Sequence, residues 1–201
     1  MPGSAPPRRP ADGDFVVDTR SLGRRAGAFR EVRRTVHLPN RIGLDLVAIP
    51  AGAPLQLELQ LQAVSEGVLV TGTVAGPQAG ECARCLEPFA ADLEVPLTEL
   101  YAYPDSVTEQ TTEDGEIYRV VDEHIDLEPA IVDAVGLALP LQPLCAPDCP
   151  GLCAECGTRL AIAGPDHRHE TIDPRWAGLA AKFGASDGAD PGGDAAAGDR
   201  S

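Results

Sequence analysis

Aromatic side chains are scarce in this chain of 201 residues: one Trp, three Tyr and four Phe make up 4% of it. A core must therefore be built mostly from Leu, Val and Ala, and a hydrophobic fraction of 43% is enough for a globular body. No run approaches the roughly 18 apolar residues of a membrane helix. The polar opening Met1-Pro-Gly-Ser-Ala-Pro-Pro-Arg-Arg-Pro10 leads into no apolar segment of the kind a secretory signal carries. A cytoplasmic protein with no membrane partner is expected. Nucleophile elbow, P-loop, dinucleotide fingerprint and metalloprotease helix are all missing. That argues against an enzyme and against a small-molecule substrate.

Positive charge is short overall, with a formal net charge of −15, so the chain as a whole is repelled by phosphate. The shortage is uneven. Residues 1–41 hold nine Arg against four acids, a net of +5, which leaves −20 on the remaining 160 residues. Within those, residues 99–133 carry eleven acids and one base, Arg119. Such asymmetry suggests two surfaces with two kinds of partner.

Composition divides the chain into a Pro-rich tail at 1–13, one folded domain at 14–183 and an acidic Gly/Ala/Asp tail at 184–201, both tails being expected to be disordered. Leu55, Leu57, Leu59 and Leu61 alternate with Gln56, Glu58, Gln60 and Gln62, the period of a strand with one wet face. Ser65-Glu-Gly67 turns the chain, and Val68, Val70 and Val74 complete a hairpin. Weaker strands are read at Val32–Leu38, Leu44–Ile49, Asp92–Tyr101 and Ile117–Val121, and a loop from Pro104 to Gly115. Asp126 is placed to cap a helix whose buried stripe is Leu127, Ile131, Val132, Val135 and Leu139. Asp173-Pro174 starts a second helix that Trp176 anchors in the core. The fold class is α+β, mostly antiparallel sheet or a partly open barrel (14–125), followed by helix, Cys-rich knuckle and helix (126–183).

All six cysteines sit in two short stretches, Cys82-Ala-Arg-Cys85 and Cys145-Ala-Pro-Asp-Cys149-Pro-Gly-Leu-Cys153-Ala-Glu-Cys156-Gly157. Crowded thiolates repel one another unless a cation neutralises them, and in a reducing compartment a metal is favoured over disulfides. Zinc, the usual tetrahedral partner of thiolates, is expected on Cys145, Cys149, Cys153 and Cys156 as a structural ion with no open position. The gaps of three, three and two are tight for one tetrahedron. Two alternatives stay open: Cys82 and Cys85 joining Cys153 and Cys156, or His167 and His169 replacing a local pair.

The segment Arg24-Arg-Ala-Gly-Ala-Phe-Arg-Glu-Val-Arg-Arg34 is a candidate phosphate-contacting arm, with Arg20, Arg24, Arg25, Arg30, Arg33 and Arg34 as cations and Phe29 as a stacking surface. A solvated strand edge accounts for the same residues equally well.

Read jointly, Asp18-Thr-Arg-Ser-Leu22, Glu81-Cys-Ala-Arg-Cys-Leu86, Leu137-Ala-Leu-Pro-Leu141, Pro143-Leu-Cys145, the Cys149–Gly157 run and Asp173-Pro-Arg-Trp176 resemble, in order, the YceD family of large ribosomal RNA subunit accumulation proteins. The resemblance implies a bacterial cytosolic protein of ribosome biogenesis, metal-binding and a candidate for nucleic-acid binding. The implied partners are ribosomal RNA or a pre-ribosomal particle. The acidic 99–133 stretch adds a basic ribosomal protein as an alternative partner, and the lesser readings are an RNA-processing enzyme and a redox-sensing pair at Cys82 and Cys85. Many members carry Cys-x-Cys near where this chain has His167-x-His169, an exchange that keeps ligand chemistry. The resemblance implies a process and not a reaction.

Overall fold

The computed structural model describes residues 13–104, 106–113, 116–164, 166–169, 175, 176, 178, 179 and 182. These fall into two compact units that meet in sequence between Leu152 and Cys153, where the sequence suggested one domain over 14–183. The tails expected at 1–13 (Gly13 apart) and 184–201, and most of the helix expected from Asp173, lie outside the described residues.

The first unit is built on a seven-stranded, mostly antiparallel sheet that does not close into a barrel. Its strands are β2 (Phe29–His37), β3 (Ile42–Gly43), β4 (Val47–Ile49), β5 (Pro54–Ala63), β6 (Gly67–Glu81), β7 (Pro88–Ala102) and β8 (Tyr118–Arg119). The order runs β2-β5-β6-β4-β3, with β7 on the other edge of β6 and β8 parallel to β7. A separate two-stranded ribbon pairs β1 (Val16–Asp18) with β9 (His124–Asp126).

The Leu alternation in β5 does what its period dictates: Leu55, Leu57, Leu59, Leu61 and Ala63 are buried, while the residues between them are wet. The cross-strand partners of Leu57, Leu59, Leu61 and Ala63 in β6 are Val74, Gly72, Val70 and Val68. Gly72 has φ +147°, and a Cβ there would lie 2.1 Å from the Glu58 carbonyl oxygen, so only glycine lets β6 approach β5 at this point.

β6 and β7 form a hairpin fifteen residues long on each side, paired without interruption from Gly67–Ala102 to Glu81–Pro88. On its other edge β6 pairs first with β5, up to Ala75, and then with β4, from Ala79. Pro77, which has no N–H to donate, falls in the stretch between those two partners. The sheet thus accompanies β6 to its end, where Glu81 N–H donates to the Leu46 carbonyl, and the hairpin tip is Cys82–Glu87.

Helix α2 (Glu128–Ala138) packs on β7 and β3, and Leu127, Ala130, Ile131, Val135 and Leu139 are buried along it and at its two ends. Val132, expected in that stripe, is 38% exposed. The helix starts one residue later than a cap at Asp126 requires: Leu127 occupies the cap position, and the Asp126 carboxylate accepts the Glu128 N–H at 3.0 Å. Tyr101, buried in the core, donates its hydroxyl to the Asp126 carbonyl at 3.1 Å. The loop expected from Pro104 to Gly115 contains a short helix, α1 (Val107–Thr111), which Ser106 caps by accepting the Glu109 N–H at 3.1 Å.

In the second unit, α3 (Leu160–Ala163) is a single helical turn with no buried residue. Trp176, expected as a core anchor, is 60% exposed, because no described residue of this unit is buried and none offers it an apolar bed. Among the described residues no helix is long and apolar enough to cross a membrane.

Candidate metal centre

The cysteine quartet expected from sequence, Cys145, Cys149, Cys153 and Cys156, is not brought together. Cys145 and Cys149 instead join Cys82 and Cys85, and Cys153 and Cys156 join His167 and His169. In each group the ligand atoms all lie within 4.8 Å of one another. The physical reason is the tightness of the run itself: its short gaps do not wrap one tetrahedron, whereas a C-x-x-C turn facing a second segment does.

In the first group the hairpin tip supplies one half. Leu86 N–H donates to the Cys82 carbonyl (2.9 Å), and Cys82 N–H donates to the Glu87 carbonyl (2.9 Å), which folds Cys82-x-x-Cys85 into a tight loop with both sulfurs on one side. The other half comes from the segment after α2. Ala83 N–H donates to the Pro143 carbonyl (2.8 Å), and the Arg84 guanidinium donates to the Cys149 carbonyl (3.0 Å), so backbone and side chain both hold the two halves together. Cys82, Cys85 and Cys149 are buried and Cys145 is exposed, with Leu144 packed against the cluster.

The sulfur spacing tests whether an ion fits. Cys82 Sγ lies 3.8 Å from Cys149 Sγ, and Cys85 Sγ lies 3.7 Å from Cys145 Sγ. A disulfide would need about 2.0 Å, and all six cysteines are free. Four metal–sulfur bonds of about 2.3 Å at tetrahedral angles give sulfur–sulfur edges of about 3.8 Å. Both measured edges match. The thiols are already poised unequally. The backbone amides of Cys145, Cys85 and Arg84 pull Cys82 down to about 6, while the sulfurs of Cys149, Cys85 and Cys82 push Cys145 up to about 12. A dication that takes the place of the protons relieves the crowding at Cys145.

The second group uses the same turn. Gly157 N–H donates to the Cys153 carbonyl (2.9 Å), as Leu86 does to Cys82, and Cys153 N–H donates to the Thr158 carbonyl (2.8 Å). The residue after the second Cys is left-handed in both, Gly157 at φ +69° and Leu86 at φ +60°. For leucine that conformation costs about 1–2 kcal/mol, and its side chain is 60% exposed, so little burial is at stake. Leu86→Gly is expected to leave metal content unchanged and to be neutral or stabilising by up to about 1 kcal/mol in urea denaturation. A drop in stability would mean that the leucine side chain has a packing role.

The candidate arginines do not form one arm, because a strand sends neighbours to opposite faces. Arg33 points outward from β2 and pairs with Glu31 at 3.3 Å, whereas Arg34 turns inward and donates twice to the Val16 carbonyl at 3.3 Å. Arg20 is tied to the Asp18 carboxylate, whose pKa it holds well below the usual range. Arg30 donates to Ser21 Oγ, and Arg24 lies 4.7 Å over the Tyr103 ring. Arg25 is exposed, and Phe29 is 65% exposed on the outer face of β2. His37 and His124 join neither cluster.

An open antiparallel sheet whose longest hairpin ends in a four-thiolate cluster defines a β-rich protein able to hold a metal at a strand tip. Comparison with known proteins narrows the class. The model of the family described as Large ribosomal RNA subunit accumulation protein YceD matches residues 70–181, a range that takes in most of β6, α2 and both clusters. The chain belongs to the YceD family. It is 61% identical over 170 residues to the uncharacterized protein Rv2926c of Mycobacterium tuberculosis, covering 85% of this chain and 82% of that protein. With the uncharacterized protein ML1660 of Mycobacterium leprae it shares 52% over 164 residues, 82% of this chain and 75% of the other. With the uncharacterized protein YlbN of Bacillus subtilis it shares 23% over 128 residues, 63% and 73% of the two chains. No solved structure matches it.

Proposed function

We propose that this protein is a non-enzymatic, cytoplasmic factor of bacterial ribosome biogenesis that supports accumulation of large-subunit ribosomal RNA, with zinc on Cys82, Cys85, Cys145 and Cys149 as a structural clasp. Family membership points to a ribosome-related role, and the observation that carries the clasp is the match of both sulfur–sulfur edges to a tetrahedral thiolate site. Four thiolates leave no coordination position for substrate or water, so the ion's chemistry is to fix the hairpin tip against the segment after α2.

In this reading ribosomal RNA meets the exposed cations Arg24, Arg25 and Arg33 together with Phe29. Arg34 serves the fold. Replacing Arg24, Arg25 and Arg33 by Ala is expected to lower the salt dependence of RNA binding by about one unit of log–log slope for each phosphate no longer neutralised. Filter binding across a salt series measures it, and an unchanged slope would remove these three arginines as the RNA contacts. In cells, deletion is expected to lower the ratio of large- to small-subunit ribosomal RNA; an unchanged ratio overturns the proposal.

A specific observation favours a second reading, a basic ribosomal protein as partner. A groove of about 860 Å³ is lined by three acids, Glu99, Glu116 and Asp133, against one cation, Arg41, and by the apolar Ile42, Val132 and Leu137; the Asp133 carboxylate also accepts the Tyr118 hydroxyl at 2.6 Å. Leu137 is 88% exposed. A net acidic lining beside exposed apolar side chains suits a cationic amphipathic segment. Asp133→Lys is expected to abolish co-purification of a basic ribosomal protein that survives nuclease treatment. If all partners vanish with nuclease, the RNA reading stands alone.

A further inference from the structure

We propose that Cys153, Cys156, His167 and His169 form a second metal site, independent of the four-thiolate clasp, and that the zinc-class ion it holds is what folds the C-terminal unit.

The donors are already arranged for it. His167 Nε2 lies 3.4 Å from Cys156 Sγ and 3.0 Å from His169 Nε2. Tetrahedral bonds of about 2.3 Å to sulfur and about 2.0–2.1 Å to nitrogen give edges of about 3.6 Å and 3.4 Å. The measured edges fall within a few tenths of an ångström of these. Two thiolates and two imidazoles with no oxygen donor select a borderline-soft divalent ion over calcium or magnesium. The turn that presents the two sulfurs is the one found at the buried clasp, down to the left-handed residue after the second Cys.

An independent observation says what the ion is for. No described residue of this unit is buried. Ile162 is 67% exposed, Trp176 60% and Leu179 52%, and α3 is a single turn of four residues. Described residues that bury no apolar side chain do not by themselves hold a fixed turn in water. Four ligands converging on one ion supply the missing stabilisation, as in other small metal-dependent folds. The two centres also differ in access. Three of four thiolates in the clasp are buried, whereas Cys156 and His169 are exposed and no ligand of the second group is buried. A chelator reaches the second ion directly, so it is the exchangeable one.

The test uses the full chain, reduced and loaded with zinc. Native mass spectrometry is expected to find two ions in the wild type and one in His167→Ala/His169→Ala, with two restored in His167→Cys/His169→Cys. A chromogenic chelator is expected to remove one equivalent at least about tenfold faster than the other. Hydrogen exchange of the Ala variant is expected to lose protection at Cys153 and Gly157, whose amides close the knuckle, with β5 and β6 unchanged. The ion that remains in the clasp reports that the first unit is still folded. A wild type holding one ion, or an Ala variant that keeps two ions and its knuckle protection, overturns the proposal.

Discussion

Cys82→Ser is expected to strip the metal from the first unit and to lower its stability by about 4 kcal/mol, the range reached when a metal that contributes folding energy is lost. Cys82 is fully buried, 3.8 Å from Cys149 Sγ. A serine hydroxyl does not ionise to replace the thiolate, and Cys85, Cys145 and Cys149 are then left crowded with no full shell around a cation. The main core around β5, β6 and α2 is a separate apolar cluster from the one at the thiols, so the damage should be local in structure. Hydrogen exchange should rise at 82–87 and 143–151 before it rises in β5. Urea denaturation with metal analysis checks both parts. Retention of a full metal complement and wild-type stability would show that the clasp does not depend on Cys82.

Gly72→Ala should be no less damaging, although it adds a single methyl group in the middle of the sheet and touches no metal ligand. The new Cβ would meet backbone on the facing strand, 2.1 Å from Glu58 O and 2.8 Å from Leu59 Cα, and φ +147° is a conformation L-residues rarely adopt. Neither neighbour can swing away as a side-chain end could, so β5 and β6 must separate where Leu57, Leu59 and Leu61 are buried. A cost on the order of 4 kcal/mol follows from strain plus poorer packing, a large share of a typical domain's stability. Thermal unfolding measures it. A melting temperature indistinguishable from wild type would mean that the two strands part more easily than their pairing implies.

These two sites differ in how far the chain announced them. The β5 alternation and the buried stripe of α2 were legible because each depends on a local period that matches its own secondary structure. Helix α1 was hidden by Pro104 and the polar run after it, although Ser106-x-x-Glu109 is a local start signal that could have revealed it. The ligand sets were legible as residues but not as partners. Cys82 and Cys149 are 67 residues apart, and only the register of β6 on β7 and the path of the chain after α2 bring them together. The arginine run read as one patch, yet a strand's alternation put Arg33 and Arg34 on opposite faces. Trp176 was assigned to a core as the anchor of a helix read from Asp173-Pro174, and the unit it belongs to has no buried described residue to receive it.

The clasp also fixes an order of events during synthesis. Cys85 and Cys145 are 60 residues apart, so at about 5–20 residues per second the hairpin tip waits roughly 3–12 s for its other half. Through that interval the chain presents a bare dithiol turn to the cell, able to pick up an ion from a carrier or to be oxidised before its partners exist. The Cys145 amide that helps lower the Cys82 thiol is not yet made, so the nascent turn lacks that contribution to the lowered pKa of the finished centre. A complete four-sulfur shell can form only once translation has passed residue 149.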